Sequence, residues 1–292
     1  MSVPTLNQRG VSLRYGMFLP NFGPFGDPSV LAELAAETER AGWDGFFIWD
    51  HILFDDRTPQ AVVDPWVALT ACATATTTIR LGALMTPLAR RRPWKLARET
   101  ASLDVLSGGR LVFGAGLGFP PYAEFGLFGE ESDDIVRAEK LDEGLTILDG
   151  LWSGQDFEFS GRHYTVERTR FLPTPHQQPR PPIWIAGWWP NKAPFRRAAR
   201  WDGVFPELVG GAIPTPQDLA ALLDYVHAHR EASTPFDAVL NGYSSTGGDE
   251  GAQTVEPYIE VGLNWWLERI EPNRLFSLEG ARERIRGGPP KR

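Results

Sequence analysis

The residues of this chain best suited to chemistry are an acid and a histidine in succession. Asp50-His51 follows the short apolar run Phe46-Phe47-Ile48-Trp49. An imidazole titrates near neutral pH, so it can take or return a proton, and a neighbouring carboxylate can orient or tune it. The other four histidines suit that task less well. His163 lies in a hairpin-like stretch, His176 in a proline-rich loop, and His227 and His229 face different ways on a helical segment. None is spaced from another as metal ligands are, and the lone cysteine, Cys72, sits in an apolar run that reads as core, so no metal site is expected.

Ligand-holding groups are less sharply marked. Leu117-Gly118 and Ala186-Gly187-Trp188 offer nearly bare backbone whose N–H groups could hold a phosphate, and both also read as plain strand-to-helix turns. Arg90-Arg91-Arg92 is either a solvated run or a cationic patch facing an anionic cofactor. In Trp188-Trp189 and Trp265-Trp266, strand alternation sends the members of each pair to opposite faces, so one of each can line an apolar pocket while the other packs in the core.

These groups need a scaffold that gathers them. Runs at 15–20, 46–49, 79–84, 110–116, 183–186, 203–205, 238–240 and 263–267 read as strands, being short, apolar and bounded by turn residues. Asp27-Pro28, Asp64-Pro65 and Thr215-Pro216 open helices with a capping side chain before proline, and the helix starting at Pro93 stops at Gly108-Gly109. Apolar positions 135, 138, 141, 145, 148 and 152 mark a further amphipathic helix, and 191–200, 253–260 and 276–286 complete the set. The rhythm breaks over 153–180, where a small hairpin and a proline-rich segment form an insertion. Strands alternating with helices point to one α/β domain over 1–292, a (β/α)8 TIM barrel with a small insertion after the fourth helix. Asp50-His51, 83–86, 117–119, 187–189 and Pro206-Glu207 then fall at C-terminal strand ends, where such barrels keep their chemistry.

Composition narrows the partners. A net charge of −8 argues against nucleic acid or an anionic membrane surface, and one cysteine excludes a disulfide framework. Residues 1–13 lack the apolar core of a signal peptide and no apolar run reaches membrane-spanning length, so a cytoplasmic location is expected.

The motifs taken together resemble the bacterial luciferase-like family. They are Leu103-Asp104-x-Leu106-Ser107-Gly108-Gly109-Arg110, Gly114-x-Gly116-x-Gly118, Glu124-Phe125 and Phe128-Gly129. Residues 137–152, Gly161-Arg162-His163-Tyr164, 182–187 and 196–203 extend the likeness in the same order. The resemblance implies a TIM barrel that binds FMN or the deazaflavin coenzyme F420, with His51 near the reactive edge of the ring and Asp50 beside it. It implies a non-prolyl cis peptide in the third strand, placed at Ala83-Leu84, and a homodimer contacting through helices 64–76 and 93–106. Leu117 stands where bacterial luciferase has a phosphate-binding arginine. Phe119 stands where deazaflavin-dependent glucose-6-phosphate dehydrogenases have a catalytic glutamate, and Asp55 roughly where they have a tryptophan. The activity expected is that of a flavin-dependent oxidoreductase or monooxygenase acting on a small organic substrate, with reduced flavin formed in place or delivered by a flavin reductase. The alternatives are a deazaflavin-dependent hydride-transfer enzyme and a non-catalytic ligand-binding barrel.

Overall fold

The structure, a computed structural model, describes residues 13–54, 57–244, 248–271 and 276–290. Its first half runs β1 (Arg14–Leu19), α1 (Pro28–Arg40), β2 (Gly45–Ile48), α2 (Pro65–Ala75), β3 (Arg80–Ala83), the two-residue β4 (Thr86–Pro87), α3 (Pro93–Ser107) and β5 (Phe113–Gly116). A one-turn α4 (Pro121–Glu124) and the long α5 (Asp134–Trp152) follow. A separate antiparallel hairpin, β6 (Phe157–Ser160) with β7 (Thr165–Thr169), stands within the expected insertion. The second half is β8 (Ile183–Trp189), α6 (Lys192–Ala198), β9 (Gly203–Leu208), α7 (Pro216–Ala228), β10 (Asp237–Gly242), α8 (Gly248–Glu260), β11 (Trp265–Arg269) and α9 (Leu278–Arg286).

The hydrogen-bonded strand order is β3-β2-β1-β11-β10-β9-β8-β5-β4, parallel throughout. A parallel bridge between Leu81 and Leu111 joins the third strand to the fourth and closes the circle. The fold is therefore a (β/α)8 TIM barrel, β4 being a short continuation of β3. Alternation divides every strand between two environments. Phe18, Phe47, Trp184, Phe205, Val239 and Trp265 fill the barrel interior, while Tyr15, Met17, Phe46 and Ile48 pack outward against the helices. The interior rings fit because neighbouring positions lack side chains: a Cβ on Gly45 would lie 2.4 Å from Phe47, and one on Gly203 2.5 Å from Trp184.

Helix boundaries follow their chemistry. Asp27, Asp64 and Asp133 accept backbone N–H groups at the first turns of α1, α2 and α5, and Thr215 forms a reciprocal capping box with Asp218. Gly108, at φ +69°, ends α3 in the left-handed conformation. Several boundaries differ from expectation, with β9 and β10 running on to Leu208 and Gly242 and β11 lying later than expected. Regular β5 begins at Phe113 rather than Arg110, because the buried Arg110 guanidinium turns away to donate to the Ala73 and Thr76 carbonyls at the end of α2. β8 continues to Trp189, and α8 starts at Gly248 rather than Gln253. Among the described residues, no helix is long and apolar enough to cross a membrane.

Candidate active site at the barrel mouth

β2 delivers Asp50 and His51 to the C-terminal face of the barrel, and the buried Asn21, just past β1, holds the histidine backbone there. The Asn21 side-chain oxygen accepts the His51 N–H at 3.2 Å, while its amide donates to the His51 and Val63 carbonyls, each at 2.8 Å. The imidazole lies among Phe22, Trp49 and Phe54, with ring centroids 5.3–5.9 Å away. Its Nδ1 is 2.8 Å from Oε1 of Glu124, a carboxyl with no solvent exposure. A carboxylate can only accept, so this contact assigns the proton to Nδ1 and leaves Nε2 with a free lone pair. Burial pushes the imidazole down to about 4, the Asp50 charge opposing and the Arg90 charge adding to that shift. His51 is therefore neutral at pH 7, a base rather than an acid.

Asp50 does not hydrogen-bond the imidazole. Its fully buried carboxylate accepts from Arg90 Nη2 at 2.6 Å and from Arg91 Nη2 at 2.9 and 3.0 Å. Arg90 also pairs closely with Glu124 through its other terminal nitrogen. The arginine run is thus neither a solvated run nor a free patch for an anion: Arg90 and Arg91 are counter-ions of Asp50 and Glu124, and only Arg92 is exposed. Such a cluster is costly to break, since removing one member strands a buried charge. Glu124 is a site residue that sequence reasoning does not assign. The available signal was its isolation, as it is the only charged residue between Arg110 and Glu130.

The other expected site residues divide by alternation. Leu84, Ala186 and Trp188 face the barrel interior, whereas Ala83 packs outward. Gly187 faces the helices as well, where a Cβ would meet Pro194 at 2.4 Å. That glycine makes room for α6, and residues 186–188 are strand paired with β9 rather than a turn. Leu117 and Gly118 lie in the irregular segment after β5, and Arg137 donates to both their carbonyls at 2.8 Å. Gly118 needs its φ of +86°, and a Cβ there would press on Pro87 at 2.8 Å. The non-prolyl cis peptide is Leu84–Met85, one residue beyond Ala83-Leu84. Gly114 and Gly116 accommodate that segment: their Cβ atoms would stand 2.5 Å from Leu84 and 3.2 Å from Met85 respectively. Asp55 lies outside the described residues.

A second polar group, Glu207, occupies the inner end of β9. Trp188 and Asn241 hydrogen-bond its carboxyl, and Arg269 stands 3.5 Å away. Phe119, more than half exposed, meets Trp188 edge to face at 5.0 Å. Trp189 and Trp266 pack outward, so each tryptophan pair splits between faces. Among the described residues, no three His, Cys, Asp or Glu side chains group to hold a metal.

The residues present fit a flat, mostly apolar ring with polar edges. Leu84, Ala186 and Trp188 supply apolar wall, while the buried Trp49 Nε1 and Thr86 Oγ1 have no hydrogen-bond partner among the described residues. A buried donor left without an acceptor is costly, so these two atoms suit a ligand. They fit the ring shared by FMN and a deazaflavin. For a phosphate the fit rests on backbone alone, because Arg90, Arg91 and Arg137 are already engaged.

Comparison with known proteins agrees with this geometry. The family described as luciferase-like monooxygenase matches residues 5–252. The oxygenase component of flavin-dependent trigonelline monooxygenase from Acinetobacter baylyi is 29% identical over 56% of this chain and 44% of its own. F420-dependent glucose-6-phosphate dehydrogenase from Microbacterium testaceum is 30% identical over 60% of this chain and 51% of its own. The chain thus spans about half the length of these curated relatives. The structure of coenzyme F420-dependent tetrahydromethanopterin reductase from Methanopyrus kandleri superposes with a TM-score of 0.75 at 16% identity, covering 94% of this chain and 98% of that one, which is a likeness of fold.

Proposed function

We propose that this chain, which belongs to the luciferase-like monooxygenase family, is a flavin-dependent oxidoreductase that uses FMN and acts on a small organic molecule at the barrel mouth. The observation that carries the reading is the His51–Glu124 contact, which leaves a neutral imidazole with its free nitrogen available in an aromatic, water-poor surround. FMN, when bound, supplies the electron transfer and, once reduced, the means to activate oxygen.

The chain's own residues do the rest. His51 Nε2 takes a proton from the reacting group and returns it, while Glu124 keeps the other nitrogen protonated and the ring in place. Arg90 and Arg91 are the counter-ions of Asp50, Arg90 also pairs with Glu124, and Asp50 acts on His51 through its charge. Leu84, Ala186 and Trp188 form the wall against the cofactor ring, with the backbone of Leu117 and Gly118 at its edge. Phe22, Trp49 and Phe54 exclude water around the imidazole. The Acinetobacter relative is an oxygenase component, which supports delivery of reduced flavin to this chain by a separate flavin reductase. We place the enzyme in the cytoplasm as a homodimer contacting through α2 and α3.

The test is a titration of the purified protein with FMN and with coenzyme F420, followed by oxygen uptake with reduced flavin. FMN should bind at micromolar concentration and oxygen should be consumed. Binding of F420 alone would replace the reading with hydride transfer, and binding of neither would end it.

A further inference from the structure

The mouth holds a carboxyl that the proton chemistry of His51 leaves unused. Glu207 is the last inward-facing residue of β9, directly paired in register with Trp188 of β8. Its side chain is seated deep in the mouth yet keeps 26% exposure, so a ligand can reach it. Two carboxylates there share one guanidinium. Arg269 Nε lies 3.1 Å from Glu271, closer than the 3.5 Å between Arg269 Nη1 and Glu207, and Nη1 also donates to Asn241 at 3.1 Å. One positive charge against two negative leaves a surplus of one negative charge. Aromatic rings border it, and the Trp188 indole hydrogen-bonds the Glu207 carboxyl. Arg269 itself lies over Trp49, 5.4 Å from the ring centroid, so the mouth already holds one cation against an aromatic ring. Trp188 and the exposed Phe119 meet edge to face, and among the described residues no arginine or lysine lies over either ring.

We propose that Glu207, with Trp188 and Phe119, selects substrates that carry a positively charged nitrogen on an apolar body. The proposal rests on the oxidoreductase reading and names the substrate class for the same mouth. A cation there supplies the charge that Glu271 takes from Arg269, and it meets the negative faces of the rings. Burial holds the Glu207 carboxyl above the usual carboxylate range, Arg269 opposing and Glu271 reinforcing the shift. The groups facing it are the Trp188 indole from β8, Asn241 from β10, and Arg269 and Glu271 from β11 and its exit. A bound cation favours the ionised carboxyl, so cation affinity rises as pH passes through the range in which Glu207 loses its proton.

Benzyltrimethylammonium and its uncharged isostere neopentylbenzene are the probes, measured by calorimetry on the purified chain at several pH values and in buffers of different ionisation heat. The cation should bind about tenfold more tightly than the isostere, with proton release. Glu207→Gln should lose about tenfold in cation affinity and all of its pH dependence. Glu271→Gln, which leaves Arg269 to Glu207 alone, should weaken the cation too, with folding of both variants checked by thermal melting. Equal binding of the isostere, or unchanged cation affinity in a folded Glu207→Gln, would overturn the proposal. An FMN titration of the same samples separates the two readings. Retained FMN binding without cation preference rejects only the substrate class, and cation preference without FMN binding rejects only the cofactor.

Discussion

A histidine is useful as a base only if its proton is on the correct nitrogen and its charge is off, and His51 meets both conditions through residues far away in sequence. Asp50-His51 was legible because an acid and a histidine at a strand exit are unusual neighbours. Glu124 was not, since a separation of 73 residues carries no sign of contact. The role of Arg90 and Arg91 was hidden for the same reason: a run of like charges looks solvated until its buried counter-ions are known. The lowered imidazole has a consequence for stability. A base whose folded value is depressed contributes fully above its unfolded value of 6.5, and that contribution is lost as pH falls toward about 4. Acid titration of wild type should therefore show a loss of stability across that window, and His51→Phe should flatten it. A variant with the same acid profile as wild type would show that His51 is already charged in the fold. Turnover with an identified substrate should fall by about 10²–10⁴-fold in His51→Ala, with melting little changed. Loss of melting temperature with normal turnover per folded molecule would instead assign the residue a packing role.

At the level of single elements, punctuation was the readable part. A capping side chain before proline announced α1, α2 and α7, and paired glycines announced the end of α3, because those residues act on the backbone beside them. Glycines that serve a distant partner were misread. Gly187 looked like a turn and is a gap for Pro194, so β8 ran on through it. Gly114 and Gly116 stand in the sequence only as part of a motif, and in the fold they make room for the end of the third strand. This can be measured. A methyl on Gly114 would meet Leu84 at 2.5 Å, Met85 at 2.6 Å and the Ala83 carbonyl oxygen at 2.7 Å, one of them rigid backbone. Gly114→Ala should cost on the order of 1–3 kcal/mol in denaturant unfolding. A neutral result would mean that the third strand can retreat, and that the glycine is reserved for a ligand.

For the molecule as a whole, the barrel was legible because its strands and helices alternate along the chain, whereas the pairing of β1 with β11 was not, since it joins strands from opposite ends of the sequence. The face turned outward also carries a testable claim. Val67 at the start of α2 and Val105 and Leu106 at the end of α3 are 59%, 45% and 51% exposed, apolar side chains on the two helices proposed to meet a second copy of the chain. Solution scattering should report a dimer, and Leu106→Glu should shift it toward monomer. A monomer at high concentration in wild type would refute the assembly. The barrel wall itself is uneven. Between β3 and β5 it is joined by the single Leu81–Leu111 bridge, with two further register pairs where β4 meets β5, while β8 and β9 share six. The wall is thin between β9 and β10 as well, which share two pairs. A thinly stitched joint opens more readily than a dense one, so the amide of Val112, bonded across the β3–β5 joint to Leu81, should exchange its hydrogen sooner than those of β8. The expected flavin wall, Leu84 and the Leu117–Gly118 segment, borders this same joint. Cofactor loading would then act as the clasp of the barrel, visible as slowed deuterium uptake along that seam before any substrate is known.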